Sequence, residues 1–196
     1  MLEWRLCGVD FRMSLLLPAL VTALLLSQPD GLVLPCVLAS LIHEGGHLLA
    51  MVGVGVPPRE CVLGAFGARI RLDDVLVPYK KNIIISLAGP LANGLTAAIL
   101  MAAGYRSSAA VHAMLAAVNL LPIASLDGGE VLRCILGCCG LKSPRVILRF
   151  CALLVLTPMV LVSGYLFVVS RNPTLLIVGA YLASLIIFSE KCEKSS

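Results

Sequence analysis

The sequence predicts an all-α membrane protein of about six transmembrane helices. A short β-rich, membrane-associated segment is expected between the second and third. Three observations carry this. First, the 196 residues are 59% hydrophobic and 13% charged, with a mean hydropathy of +0.99. A soluble domain carries about 25% charged residues, so this chain has too little polar surface to coat a water-soluble globule. Second, six apolar runs approach the roughly 17–25 residues that span a hydrocarbon core. They are Met13–Gln28, Leu32–Val52, Ile83–Gly104, Ala109–Leu126, Leu148–Ser170 and Thr174–Ser189. Third, placing the N-terminus inside puts all of the 15 Lys and Arg residues except Arg106 and Arg171 on the inner side. That asymmetry follows the positive-inside rule and sets both termini in the cytoplasm.

The runs at either end are the shortest. Arg5 and Arg12 precede the first, as in a signal peptide. No small-residue cleavage site follows it, so it reads as an uncleaved helix. Between the second and third runs, Gly53–Asn82 holds VLGAF, ARIRL and VLVP separated by glycines and prolines. These read as short strands or a hairpin. Non-helical backbone near a bilayer must pair internally or line a wet cavity. The segment is therefore either a surface loop or a border of the active site able to pair with an extended substrate. Asp73 and Asp74 read as solvated turn charges. After the fourth run, Glu130–Leu136 reads as a short amphipathic interfacial helix ended by Gly137 and Gly140, with Asp127 or a neighbour capping its start.

Residues 1–196 read as one integral-membrane domain, with a catalytic core over about 13–130 and accessory helices over about 148–189. The net charge of +4 calls for no nucleic-acid partner and suits loops lying against anionic lipid. Of the eight cysteines, Cys36 and Cys151 fall in apolar runs and the others on the reducing inner side, which argues against a disulfide framework. Cys134, Cys138 and Cys139 read as small apolar residues of the amphipathic helix.

The chemistry gathers at His43-Glu44-Gly45-Gly46-His47. Residues four apart share a helix face, so two imidazoles can hold one Zn²⁺ while the Glu beside the first reaches a metal-bound water. The run lies inside an apolar helix, where ionisable residues are costly and usually functional. Its paired glycines allow close helix approach. A catalytic zinc needs a third protein ligand and an open position. Asp127, near the inner end of the fourth run, stands at the depth of the two histidines. Pro122 should bend or unwind that run, and Gly128 and Gly129 permit a sharp turn. Asn93, in the third run beside Pro90, reads as a packing residue. Asn119 either orients substrate and binds a developing oxyanion or hydrogen-bonds between helices. His112, near the outer start of the fourth run, reads as structural or interfacial, far in depth from the histidine pair.

Three elements in order resemble the site-2 protease family of intramembrane zinc metalloproteases: HEGGH, AGPLAN from Ala88 to Asn93, and Asn-x-x-Pro-x-x-x-x-Asp-Gly from Asn119 to Gly128. The likeness runs from the first helix to the fourth and is greatest to the compact bacterial members, including the sporulation factor IV B proteases. No PDZ or CBS segment is present. The resemblance implies His43, His47 and Asp127 as ligands of one Zn²⁺ and Glu44 as catalytic base, with Asn93, Pro122 and Gly128 in support. It also implies a membrane-spanning or membrane-tethered protein substrate, a regulatory membrane protein as a further partner, and residence in a bacterial cytoplasmic membrane. The rival reading is a membrane zinc transporter or sensor with the same ligands and no proteolysis. A catalytically dead scaffold is a third, against which the intact Glu44 counts.

Overall fold

The computed structural model describes residues 2–6, 9–13, 22, 31–64, 67–71, 77–141 and 144–170. Apart from Met13 and residue 22, the expected first run lies outside these residues, as do the whole of the sixth, Cys7, Cys192, Asp73 and Asp74. The described chain is mostly helical. In chain order it contains β1 (Leu2–Leu6), β2 (Val9–Met13), α1 (Val33–Gly53), β3 (Glu60–Gly64), β4 (Gly67–Arg71), α2 (Tyr79–Ala102), α3 (Arg106–Asn119), α4 (Asp127–Cys138) and α5 (Pro144–Ser170). It divides into two units, Met1–Val118 and Asn119–Ser196, taken in turn below.

Three helices among the described residues are long and apolar enough to cross a membrane: α1, α2 and residues Val146–Val169 of α5. Their outer surfaces are those of an integral membrane protein. In α1 the buried residues Ala39, His43, His47 and Met51 recur every fourth position, with Gly46 beside them. Leu34, Leu38, Leu41, Leu49 and Val52 face outward. A face that apolar would be a large exposed patch in water, whereas in lipid it is ordinary surface. In α2 the buried set is Ile85, Ser86, Gly89, Pro90, Asn93 and Ala97.

In the first unit, α1 and α2 pack together with Gly46 at the contact. A Cβ on Gly46 would lie 2.7 Å from the Ala88 carbonyl oxygen and 3.0 Å from Ala92 Cβ, so the helices meet here backbone to backbone. Gly45 has nothing within 4 Å of such an atom. Of the paired glycines, only Gly46 makes the close approach. A tight turn containing Gly104, at φ 86°, then leads into α3, which meets α2 through His112 and Asn93.

The expected hairpin is present and belongs to a larger sheet. β3 and β4 pair antiparallel, with Glu60 opposite Arg71. β1 and β2 pair antiparallel, with Leu2 opposite Met13. The two hairpins join through a parallel ladder that pairs Asp10 with Glu60 and Met13 with Leu63, giving the order β1-β2-β3-β4. The all-α expectation therefore needs amending: the β-rich region includes the N-terminal residues, expected to be only a basic flank. The signal was there, because Leu2, Trp4 and Leu6 alternate with Glu3 and Arg5, and Val9, Phe11 and Met13 with Asp10 and Arg12. Period-two alternation of this kind marks strands. Arg12 reaches Glu60 at 2.6 Å across the parallel junction.

In the second unit, the helix expected over Ala109–Leu126 has already ended. α3 stops at Asn119, and residues 120–126 are non-helical. Pro122 lacks an N–H and its ring obstructs the carbonyl four residues back. The stretch is held by short bonds, Ile123 N–H donating to the Leu121 carbonyl at 2.8 Å and Leu126 N–H to Ile123 at 2.9 Å. Ile123 is wholly buried and packs with Ala152 and Leu156 of α5, joined by Leu121 and Leu126. α4 then starts at Asp127. Leu126 holds the capping position without a side-chain cap, so Asp127 is the first helical residue rather than the cap. Its charge and that of Glu130 fall in the first turn, where the helix dipole favours anions. Gly128 and Gly129 are needed for proximity rather than for a turn: a Cβ on Gly129 would collide with the Ile123 carbonyl and lie 2.9 Å from Ala124 Cα. One on Gly128 would collide with the Leu120 carbonyl.

Candidate metal centre

His43 and His47 stand one turn apart on the buried stripe of α1, 6% and 8% exposed. Their Nε2 atoms lie 3.2 Å apart and the rings meet edge to face, with centroids 4.8 Å apart. Two nitrogens each about 2.0–2.1 Å from one tetrahedral ion would be roughly 3.3 Å apart. The pair therefore already has the spacing of two ligands on a common metal, and neutral imidazoles are suitable donors.

Each imidazole has a partner on its other nitrogen, and both come from α2. His47 Nδ1 lies 2.7 Å from the Ile85 carbonyl oxygen. A carbonyl only accepts, so Nδ1 carries the proton and Nε2 keeps its lone pair. This is the usual way a metal-binding histidine is oriented. Pro90, inside α2, has no N–H to offer the Ser86 carbonyl, so the disrupted turn lies directly beside Ile85. His43 Nδ1 lies 3.2 Å from Asn93 Nδ2. Asn93 Oδ1 in turn lies 2.9 Å from His112 Nδ1. Asn93 is 0% and His112 2% exposed.

Gly89 shapes the site as much as any polar residue. A Cβ there would collide with His47 Nε2 and lie 2.7 Å from His47 Cε1 and 3.0 Å from His43 Cε1. The glycine of AGPLAN is the gap into which the imidazole pair fits. Glu44, between the histidines in sequence, is half-buried. Its charge is felt at Cys61 of β3, whose thiol is pushed up from its ordinary value by burial first and by Glu44 second.

Asn93 and His112 differ from expectation. Asn93 is in hydrogen-bond reach of a candidate ligand, a closer involvement than packing alone. His112 lies in the same network rather than remote from it. The apolar run starting at Ala109 puts His112 only three residues into its helix. α3 begins at Arg106, so His112 is six residues in, about 9 Å along the axis, and meets Asn93 from the antiparallel neighbour. In the second unit, Asn119 closes α3, Pro122 interrupts the following backbone, and Asp127 opens α4 half-buried.

Helices long and apolar enough for a bilayer, a small mixed sheet and a histidine pair inside an apolar helix define the class: an integral membrane protein with a candidate metal site. No family model matches the sequence, and no curated protein matches it. Among solved structures it is similar to the Site-2 Protease from Methanocaldococcus jannaschii, with a TM-score of 0.63 and 19% identity, over 92% of this chain and 91% of that one. The chain therefore has the fold of a site-2 protease.

Proposed function

We propose that this chain is an intramembrane zinc metalloprotease of the site-2 protease family. It would cleave a membrane-spanning or membrane-tethered protein in regulated proteolysis. The observation that carries the reading is the His43–His47 pair: two buried Nε2 atoms 3.2 Å apart, on an apolar helix that also bears Glu44, in a chain with a site-2 protease fold.

The donor set fits zinc. His43 and His47 supply imidazole nitrogens, and the resemblance of the Asn119–Gly128 element to the family's motif makes Asp127 the third ligand, leaving a fourth position open. Support for Asp127 comes from its place in the Asn119–Gly128 element and from the fixed backbone that leads to it. A zinc ion at these donors supplies Lewis acidity toward the scissile carbonyl and toward water. Glu44 accepts a proton from the attacking water and delivers it to the leaving amine nitrogen. The Asn119 amide donates to the carbonyl oxygen as it gains charge. Helical substrate hides its carbonyls in its own hydrogen bonds, so the segment must unwind locally. The β3–β4 hairpin offers an edge on which an extended strand can pair. The same reading places the protein in a bacterial cytoplasmic membrane with both termini cytoplasmic, alongside a regulatory membrane protein.

Substitution Glu44→Gln tests the assignment. Zinc content of the detergent-purified variant should match wild type, while cleavage of a membrane-tethered reporter falls by about 10²–10⁴-fold, the usual contribution of a general base. Undiminished cleavage by the variant rejects Glu44 as the base. Zinc uptake by vesicles carrying wild-type protein, with no cleavage of any tethered reporter, would instead establish the transporter reading.

A further inference from the structure

We propose that Ser86 is a water-binding residue beside His47. Its hydroxyl, together with its main-chain carbonyl left open by Pro90, holds the water that peptide hydrolysis consumes. The role in hydrolysis rests on the protease reading above. The water site itself rests on two unmet polar groups of one buried residue.

The first group is the hydroxyl. Two hydroxyl side chains are buried among the described residues, Ser86 at 5% and Ser163 at 2% exposed. A hydroxyl inside a helix commonly bonds back to a carbonyl of the preceding turn. Ser163 donates in this way to the Val160 carbonyl at 2.8 Å. Ser40, Thr96 and Thr157 do the same in their helices. Ser86 makes neither this bond nor any other among the described residues. The second group is the Ser86 carbonyl. Its helical donor would be residue 90, which is proline and has no N–H.

In a membrane-spanning helix, a backbone group freed by proline is met by a neighbouring side chain or by ordered water. No described side chain meets the Ser86 hydroxyl. A lipid tail or an apolar side chain could fill space there but would neither donate nor accept. Water does both. A buried water typically makes about three hydrogen bonds. Ser86 supplies two and leaves the remainder for the next water toward the metal.

The place is the metal site. Ile85, Ser86, Gly89, Pro90 and Asn93 form one buried face of α2. On it, Asn93 reaches His43, while Gly89 and the Ile85 carbonyl meet His47. α1 and α2 therefore pass in opposite directions, and Ser86 falls level with His47. The peptide whose oxygen meets His47 Nδ1 is the one joining Ile85 to Ser86. Ser86 lies about 10 Å along the axis from Tyr79, at the end of α2 that carries Lys80 and Lys81. Between Ser86 and Asn93 this face holds only Gly89 and Pro90, neither with a polar side chain. Each cut adds one water across the peptide bond, its OH to the carbonyl carbon and its H to the amine nitrogen. The site must therefore be refilled once per turnover.

The test uses full-length, zinc-loaded wild type, Ser86→Ala and Thr96→Ala. A crystal structure of the wild type that shows ordered water should place an oxygen about 2.7–3.2 Å from the Ser86 hydroxyl. Ser86→Ala should lower kcat toward a membrane-tethered reporter by about 2- to 10-fold, the worth of one ordinary hydrogen bond. Its KM, and its zinc affinity by chelator competition, should match wild type. Thr96→Ala, which removes a hydroxyl bonded within the same helix, should cleave as wild type does. A bare hydroxyl would make Ser86→Ala more heat-stable than wild type, because an unmet buried group is removed. That result, or a wild-type Ser86 hydroxyl bonded to protein, overturns the water site. Ordered water with unchanged kcat in Ser86→Ala, or weakened zinc binding in that variant, overturns the supply role. Should Ser86→Ala fail to fold, the wild-type crystal structure decides. A wild-type chain that cleaves no tethered reporter rejects the protease reading and the supply role with it, while the crystal structure still decides the water site.

Discussion

Replacing Gly89 with alanine adds one methyl group at the point where the imidazole pair meets α2. That carbon would collide with His47 Nε2 and lie 2.7 Å from His47 Cε1 and 3.0 Å from His43 Cε1. Ordinary carbon contacts are about 3.5–4.0 Å, so ring or helix must give by roughly 1 Å. Neither has slack. The His47 ring is tied by its 2.7 Å bond to the Ile85 carbonyl, and losing such a bond costs about 1 kcal/mol net. α1 cannot step back freely, because Gly46 already rests on the Ala88 backbone. Overpacking of this kind costs about 1–3 kcal/mol. At about 1.4 kcal/mol per tenfold, zinc affinity should fall by roughly 5- to 150-fold, measured by chelator competition on detergent-purified protein. Gly94 is the control. It lies on the same helix with nothing within 4 Å of an added Cβ, and Gly94→Ala should bind zinc as wild type does. Unchanged affinity in Gly89→Ala, or equal weakening in Gly94→Ala, would refute the reasoning.

Three further outcomes are expected. Gly46→Ala should lower the thermal midpoint by separating α1 from α2, at about 1–3 kcal/mol, while Gly45→Ala should not; a scanning fluorimetry series on the two decides. Gly129→Ala should destabilise the second unit by a similar about 1–3 kcal/mol, read as faster hydrogen exchange over residues 120–126, since its Cβ would collide with the Ile123 carbonyl. Cys61 should resist alkylation at pH 8 while the exposed Cys138 and Cys139 react, because the thiolate is the nucleophile and the Cys61 thiol is pushed up. The sign follows: the folded state holds this proton more tightly, so its stabilising share is complete below the unfolded thiol range and is lost as pH rises through the folded value. Glu44→Gln should bring Cys61 only part of the way back, since burial is the larger cause.

Much of this was legible from the residues. The runs that became α1, α2 and α5 were found within four residues at either end because apolar length is the strongest signal a membrane imposes. The HEGGH spacing placed two imidazoles on one face because helical geometry leaves no alternative. The β3–β4 hairpin was visible in its alternation and glycines. What escaped depends on partners distant in sequence. Leu2–Met13 alternates like a strand pair but also carries Arg5 and Arg12, and in a membrane chain that charge reads first as a helix flank. The stop at Asn119 was missed because Leu120, Leu121 and Ile123 extend the apolar run, although Pro122 announced an interruption. His112 and Asn93 looked unrelated because their meeting depends on where α3 starts. Three residues of error there is about 4.5 Å of depth, enough to break a hydrogen bond on paper.

The parallel ladder between β2 and β3 has a consequence for how the protein is made. Asp10 and its partner Glu60 are fifty residues apart, with the whole of α1 between them. At about 5–20 residues per second, β3 emerges several seconds after β2. During that interval the N-terminal hairpin presents an unpaired edge, the kind of surface that invites aggregation. The sheet can close only when the ribosome has delivered α1 and the chain has come back, so assembly of the soluble-looking part is timed by synthesis of the membrane part. A truncation that removes residues 2–13 would take away two of the four strands of the sheet.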